Sequence, residues 1–447
     1  MFVIFLLTGT VGINNLCYSQ TSISGNLQNY NAFQTTGDLL LITGRNRLHV
    51  DANHSLSRGN LVISGDLIHR YAMANQGEIS RTEIFFRNAY ADIYFDNADI
   101  RAGYQSIPMG RSFGAYVTDI LTPLDLREFP TFEPSVLQMG LAALNVTYYF
   151  GNNYFQFILS PGFQPNRIPD TSSRWFPLPE TPDFIPINYK QEESTESLKN
   201  LNAAIRFAWR SSLSFDLDLM VYHWSHPVPA YRIFLNTSIS NEFGSVDLVE
   251  SYRNSFMPGY SLAWRFSEGF ELQSDGLFVY RRLFTYLPVS VCDLEQAMEN
   301  PLFGFQLLPE FIPADDGFVL ERPWAHGMIG LQYQTGEWTF LTQGFLEYIF
   351  NYDNKTLSQR YFPYATGAVQ KRYYRDRLNS SLFGRYNILT NDFWIRADTE
   401  FEWRDDIFIS TGLNLFGGPD ISTFYGHVTF NRFRHNSFTY LRLKIYF

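Results

Sequence analysis

The last eleven residues of the chain, Ser437 to Phe447, read SFTYLRLKIYF. Alternate positions in this stretch are apolar, namely Leu441, Leu443, Ile445 and Phe447. The positions between them carry two cations, Arg442 and Lys444. Side chains of a strand alternate between its two faces, so this strand has one apolar face and one charged face. Such a strand fits either the edge of a soluble sheet or a wall with lipid on one side and water on the other.

The same alternation recurs along the chain. In 201–210, 213–221 and 392–403, apolar residues occupy one parity and most of the charges occupy the other. Several charges on one strand face are unfavourable in a packed core but natural in a water-filled lumen. We therefore predict these lumen-facing charges: Arg206, Asp216, Asp218, Arg396, Asp398, Glu400, Glu402, Arg442 and Lys444.

The composition favours a membrane barrel over a large soluble core. Aromatic residues make up 17% of the 447 residues, with 42 Phe and 28 Tyr, while the mean hydropathy is only −0.17. A barrel places aromatics on its lipid face and in its girdles and keeps every second residue in water.

The formal net charge of −10 argues against nucleic acid as a partner. Cys17 and Cys292 are the only cysteines, so no disulfide framework is expected.

Residues 1–20 have a short apolar run followed by small and polar residues, as in a secretory signal peptide. The basic residues that usually begin such a signal are missing, so we expect a start that is truncated or wrongly assigned. We expect residues 21–447 to form a single barrel. No other stretch approaches 18 continuous apolar residues, so a membrane crossing requires a closed barrel.

The predicted connections alternate between short and long. Tight turns are expected at 151–153, 210–212, 267–269, 335–337 and 390–392. Long polar connections are expected at 107–137, 164–198, 226–255, 283–322 and 351–372. Short turns at one end and long loops at the other are typical of outer-membrane barrels. We predict an all-β, antiparallel transmembrane barrel of about 18 strands if 407–416 and 421–430 form a hairpin. The alternative is 16 strands, with 405–436 as one loop.

The stretch 103–129, GYQSIPMGRSFGAYVTDILTPLDLREF, combines glycines, apolar residues and charges of both signs. A loop of this kind can fold into the lumen, and porin-type filters are built from opposed charges. We predict a constriction formed by Arg111, Asp119, Asp125, Arg127 and Glu128. The alternative is an external loop whose charges pair with one another.

Several of these motifs resemble a family of bacterial outer-membrane proteins catalogued as a domain of unknown function. They are the run from Gly103-Tyr104-Gln105 to Asp125-Leu126-Arg127, the stretch GFQPNRIP at Gly162–Pro169, and the final strand. Met109 departs from that family's usual Trp. The chain is also distantly similar to alginate-export-type barrels.

The resemblance implies a porin-like barrel in a Gram-negative outer membrane, surrounded by lipid and lipopolysaccharide. In outer-membrane barrels the closing strand is also read by the barrel-assembly machinery, which implies an assembly signal at Leu443, Ile445 and Phe447. We expect small or medium solutes as cargo and leave oligomerisation open. No nucleic-acid partner is expected.

Little in the sequence indicates catalysis. His223 with Ser225, and His427, are the candidates for a base beside a nucleophile on barrel positions, and the remaining His residues lack metal-ligand spacing. We expect no enzyme activity, no cofactor and no metal. The function predicted is a channel or export pore; the alternatives are a barrel whose loops bind a partner and a lipid-active enzyme.

Overall fold

The computed structural model describes residues 20–36, 40–73, 80–170, 173–177, 187–190, 195–196, 201–211, 214–236, 245–287, 296, 317–419 and 429–447. The expected signal peptide lies outside these ranges except for Gln20. Most of the strand expected at 421–430 also lies outside them.

The strands of the first half of the chain are β1 Thr21–Gln34, β2 Leu41–Leu56, β3 Gly59–Met73, β4 Arg81–Tyr94, β5 Ala98–Gln105, β6 Leu141–Phe150, β7 Asn153–Ser160, β8 Gly162–Phe163, β9 Ile187–Lys190, β10 Thr195–Glu196, β11 Asn202–Arg210 and β12 Phe215–Ser225. The strands of the second half are β13 Ala230–Asn236, β14 Ser245–Ser251, β15 Asn254–Ser267, β16 Phe270–Thr285, β17 Val319–Thr335, β18 Trp338–Ile349, β19 Tyr361–Tyr373, β20 Leu378–Asn387, β21 Asp392–Arg404, β22 Ile407–Gly417 and β23 Phe438–Tyr446.

Eighteen of these strands form one closed sheet. They are β1–β7, β11, β12 and β15–β23, each paired antiparallel with the next one along the chain. The barrel closes where β23 pairs with β1, from Asn26 opposite Tyr446 to Gln34 opposite Phe438. The predicted all-β barrel of 18 strands is confirmed, with β22 and β23 as its last two strands.

The outer surface of the barrel is apolar, as the alternation predicts. In β23, Leu441 is 54% exposed while Arg442 and Lys444 are each 7% exposed. Trp209, Trp264, Trp338 and Trp403 are exposed near the ends of their strands. An apolar belt with flanking aromatics is the surface that a bilayer requires of a barrel.

One end of the barrel carries the short connections. Turns of two to four residues join β2 to β3, β4 to β5, β6 to β7, β11 to β12, β15 to β16, β17 to β18, β19 to β20 and β21 to β22. The turn expected at 390–392 lies instead at the other end, between β20 and β21. Most of the long connection expected at 351–372 is the strand β19.

Outside the barrel wall, β13 pairs with β14, and β14 runs parallel to β9. Helical turns in the described ranges are brief: a 3-10 turn at Phe129–Thr131, a helix at Pro134–Leu137 and a 3-10 helix at Asn431–Asn436. None of the helices that the structure describes is long and apolar enough to cross a membrane.

Candidate functional site

Residues 106–140, which we call the lumen segment, connect β5 to β6 at the end of the barrel opposite the short turns. The segment folds back on itself, since the Asp125 amide donates to the Leu137 carbonyl at 2.7 Å and the Met139 amide to the Pro123 carbonyl at 2.8 Å. Many of its other contacts are with inward-facing side chains of the wall, such as Asp275 and Gln343. The segment therefore lies inside the barrel.

The first half of the lumen segment packs on an apolar part of the wall. Ile107, Met109, Val117, Ile120 and Leu121 are buried in one cluster with inward side chains of β12 and β15–β19. Burial of these side chains removes apolar surface from water and holds this half of the segment against the wall.

A carboxylate on β16 fixes the turn at the start of this half. Asp275 Oδ2 accepts hydrogen bonds from the backbone amides of Arg111 and Ser112, each at 2.8 Å. Gly110 has a φ of +81°, and a Cβ there would lie 2.2 Å from Thr118 Oγ1 and 2.9 Å from Asp275 Oδ2. Only glycine fits this position without displacing the segment.

Backbone contacts continue across the next strands. The Phe113 amide donates to Gln343 Oε1 at 2.8 Å, and Thr366 Oγ1 donates to the Phe113 carbonyl at 3.1 Å. Arg385 Nη1 donates to the Gly114 carbonyl at 3.3 Å. These contacts run from β18 through β19 to β20, so the segment follows the wall over three neighbouring strands.

The second half of the segment meets a charged part of the wall. Glu128 lies between Arg45 Nη1 at 3.0 Å and Arg70 Nε at 2.7 Å. Burial acts to raise the pKa of Glu128, but the two guanidinium groups outweigh it and hold the pKa below its usual value. Glu128 is therefore an ionised anchor that joins the segment to β2 and β3.

Glu133 anchors the segment to the closing strand. Its carboxylate pairs with Arg442 and, at 2.9 Å, with Lys444 Nζ. Arg442 also pairs with Glu400 at 2.8 Å. Burial opposes ionisation of Glu133, yet Arg442 and Lys444 lower its pKa to about 2.

Asp125 and Arg127 pair mainly with each other. Their closest atoms are 2.8 Å apart, and Arg127 also reaches Glu83 at 3.4 Å. Burial acts to raise the pKa of Asp125, but its hydrogen bonds and ion pair with Arg127 lower it. The Leu126 amide donates to the Arg167 carbonyl at 2.7 Å, which ties this stretch to the residues after β8.

Asp119 has a different environment. Its Oδ2 accepts from Gln138 Nε2 at 3.3 Å, and its Oδ1 is buried with no hydrogen-bond partner among the described residues. Burial raises the pKa of Asp119 to about 7; the Met109 backbone amide opposes this shift, and Asp275 adds to it. This carboxyl can therefore take up a proton near neutral pH.

Arg111 is a charge of the segment that pairs with a residue of β12. Its Nη2 is 3.5 Å from Asp216 Oδ2, and both side chains are 26% exposed. Nearby, Arg206 pairs with Asp218 and its Nη1 lies 3.9 Å from Met109 Sδ. At this place a charged side chain of the segment and one of the wall are both partly exposed to the lumen.

The predicted constriction charges thus fall into separate groups. Arg111 lies against β12, whereas Asp125, Arg127 and Glu128 lie with β2–β4 and the stretch around Arg167. Among the predicted wall charges, Arg396 pairs with Asp398 at 2.6 Å and donates to the Phe132 carbonyl at 3.2 Å. Glu402 is half-buried near the end of β21. Their role in selecting ions stays a prediction.

Several residues that hold the segment were not expected from the sequence. Glu133 lies in the segment, and Arg45, Arg70, Asp275 and Gln343 lie on the wall. Arg45 and Arg70 were recognisable as charges within alternating strands. The hydrogen bonds from the segment to Asp275 and Gln343 join residues more than 160 positions apart. No local sequence pattern predicts such contacts.

The residues of the expected assembly signal lie at the closing strand. Leu443, Ile445 and Phe447 are exposed on the outer face. The Gly25 amide donates to the Phe447 carbonyl at 3.0 Å, and the Phe447 amide donates to the Gly25 carbonyl at 3.1 Å. Their recognition by the assembly machinery stays a prediction.

The candidate base and nucleophile do not face each other across a site. His223 is exposed, whereas Ser225 is buried and hydrogen-bonded to Asn254. Within the described ranges, no group of three or more His, Cys, Asp or Glu is placed to hold a metal ion.

Comparison with known proteins supports the fold. No protein-family profile matches the chain, and no curated protein matches it. Among solved structures, Acinetobacter baumannii OccAB3 aligns with a TM-score of 0.51 at 7% identity, over 96% of this chain and 99% of that one. OccAB1 of the same organism aligns with a TM-score of 0.51 at 9% identity, over 96% of this chain and 95% of that one. OccAB2 aligns with a TM-score of 0.50 at 8% identity, over 96% and 98%.

These similarities define the architecture. The chain forms an 18-stranded antiparallel β-barrel that is closed by its terminal strands and carries the apolar outer belt of a transmembrane barrel. The resemblance to alginate-export-type barrels has no support in these comparisons.

Proposed function

We propose that the barrel is an outer-membrane channel for small to medium solutes and that the lumen segment narrows it. The observation that carries this proposal is the attachment of one segment to many parts of the wall. Its residues bind Asp275 on β16, Gln343 on β18, Arg385 on β20, Arg442 on β23 and Arg45 on β2. A segment held in this way restricts passage through the lumen it crosses.

The two sides of the lumen differ in chemistry. Buried apolar side chains face the segment from β12 and β15–β19, and ion pairs face it from β2–β4, β21 and β23. Partly exposed charges remain on the segment at Arg111 and Glu133.

The proposal is tested by reversal potentials across a planar bilayer with a KCl gradient. Arg111→Gln removes a cation from the passage and is expected to raise the preference for K⁺. Glu133→Gln removes an anion and is expected to raise the preference for Cl⁻. Arg265→Gln is the matched control, since Arg265 is 65% exposed and pairs with Glu271 near the short turns.

The two variants are expected to shift the reversal potential in opposite directions, with the control near the wild-type value. Equal potentials in all four proteins, each conducting, would contradict the assignment of the constriction. If a bilayer that contains folded protein carries no ionic current, the channel function itself is contradicted.

A second candidate function is a barrel whose outer loops bind a partner. The observation that favours it is the additional sheet of β9, β13 and β14 outside the barrel wall. In that case the lumen segment acts as a plug. No ionic current is then expected across the bilayer until the segment is removed.

A further inference from the structure

The lipid-facing wall of β17–β21 contains a groove of about 520 Å³. Its lining is apolar and includes Leu331, Phe340, Gly367, Leu382, Gly384 and Ile395. Leu331, Phe340, Leu382 and Ile395 are exposed side chains, so the groove opens outward, toward the bilayer.

Two glycines form the floor of the groove. Gly367 and Gly384 are opposite each other on β19 and β20. A Cβ on Gly384 would meet nothing within 4 Å, and a Cβ on Gly367 would come no closer than 3.7 Å to the Leu341 carbonyl oxygen. The wall is therefore bare backbone at this point, and larger side chains rise around it.

A cation lies on the same face, nearer to the short turns, the end that faces the periplasm in outer-membrane barrels. Lys371 Nζ is 4.7 Å from the ring centre of Trp338 and 5.2 Å from that of Tyr373. No carboxylate in the described part of the chain lies within ion-pair distance of this ammonium group. Lys371 follows Gly367 by four residues, which is about 13 Å along a strand and roughly 10 Å of depth at the usual tilt.

We propose that this groove binds one phospholipid of the periplasmic leaflet, with its phosphate at Lys371 and an acyl chain over Gly367 and Gly384. The depth from the ammonium group to the glycines is close to half of an apolar belt about 25 Å tall. An anionic headgroup at the interface and a chain that reaches the middle of the bilayer match this spacing. Aromatic rings beside the cation are the usual neighbours of headgroups.

A second copy of the barrel fits the groove less well. In a two-fold contact the same patch meets itself, so two grooves would face each other and leave a void between the walls. A phospholipid supplies both a flexible chain for the groove and an anion for the ammonium group.

The test is binding of palmitoyl-oleoyl-phosphatidylglycerol to the delipidated, folded full-length barrel in detergent, measured by native mass spectrometry. Lys371→Gln removes the cation, and we expect binding to be about fivefold weaker, the effect of one Lys near a membrane surface. Gly384→Leu places a side chain on the floor of the groove, and we expect this variant to lose the bound lipid. Gly344→Leu is the matched control, because a Cβ there also meets open space and Gly344 does not line the groove.

The site is supported if the wild type and Gly344→Leu each retain one lipid and Gly384→Leu loses it. Equal lipid retention in all four proteins would overturn it and indicate non-specific annular lipid. Loss of an oligomer in Gly384→Leu with no change in lipid binding would also overturn it and identify the groove as a protein contact. Heat-modifiable migration on gels confirms that each variant is folded, and channel activity is not part of either result.

Discussion

Asp119 connects the chemistry of a single residue to the behaviour of the lumen segment. Its pKa is about 7 when the segment is docked, against an ordinary value of 3.8. Because the docked form holds the proton more tightly, docking is strongest below about pH 4. It weakens as the pH rises to about 7, by up to about tenfold per pH unit.

We therefore expect the current through the wild-type channel to fluctuate more as the pH is raised from 5 to 8. Asp119→Asn keeps a neutral side chain at every pH and is expected to remove this dependence. Single-channel recordings at several pH values measure the effect, with Asp405→Asn as control because Asp405 is 92% exposed in a short turn. The same pH dependence in Asp119→Asn would show that another group titrates.

Glu128 is a buried anchor between two cations. Glu128→Gln leaves Arg45 and Arg70 buried without their shared carboxylate, and breaking a buried pair usually costs about 3–5 kcal/mol. We expect the free energy of unfolding in urea to fall by roughly that amount. Glu402→Gln, on the same side of the barrel, is expected to change it by less than about 1 kcal/mol. Equal unfolding free energies for wild type and Glu128→Gln would contradict this role.

At the scale of an element, β23 closes the barrel and carries the proposed assembly signal. We expect that Phe447→Ala, which retains the backbone hydrogen bonds to Gly25, and deletion of Phe447, which removes them, both reduce outer-membrane levels several-fold. Phe150→Ala is the control, since Phe150 is also exposed next to a short turn. Immunoblots of membrane fractions measure the levels.

If Phe447→Ala reaches normal outer-membrane levels and the protein without Phe447 does not, the Phe447 ring is not part of an assembly signal. The loss would then be due to the closing hydrogen bonds. Normal levels of both variants would show that neither the ring nor the hydrogen bonds of Phe447 are needed for assembly.

The strands that sequence patterns missed have identifiable physical causes. β19 contains Pro363 and Gly367, which weaken the appearance of a strand. The turn after it places Tyr374, Arg375 and Asp376 at φ values of 57°, 59° and 62°. Of the three, only Asp376 is a residue type that turns favour, so the turn carries a weak sequence signal.

For the whole molecule, alternation predicted the barrel class because a lipid face and a water face impose a period of two on every strand. The count of 18 is confirmed, but it was predicted from a hairpin of 407–416 with 421–430, whereas the eighteen strands include β19, which was expected to be part of a long connection. The path of the lumen segment did not follow, because its anchors lie on strands distant in sequence. Charges such as Arg111 and Glu128 were recognisable, but their partners Asp216, Arg45 and Arg70 were determined by the closed barrel.

The measurement that tests the central claim most directly is single-channel conductance of the refolded protein, compared with a variant in which residues 110–121 are replaced by Gly and Ser. The replacement removes Val117, Ile120 and Leu121, which pack on the apolar wall, while keeping the length of the chain. We predict stable steps of reproducible size for the wild type and steps several-fold larger for the variant. Identical steps in both proteins, or silence of both in a bilayer that contains folded barrel, would contradict a channel narrowed by the lumen segment.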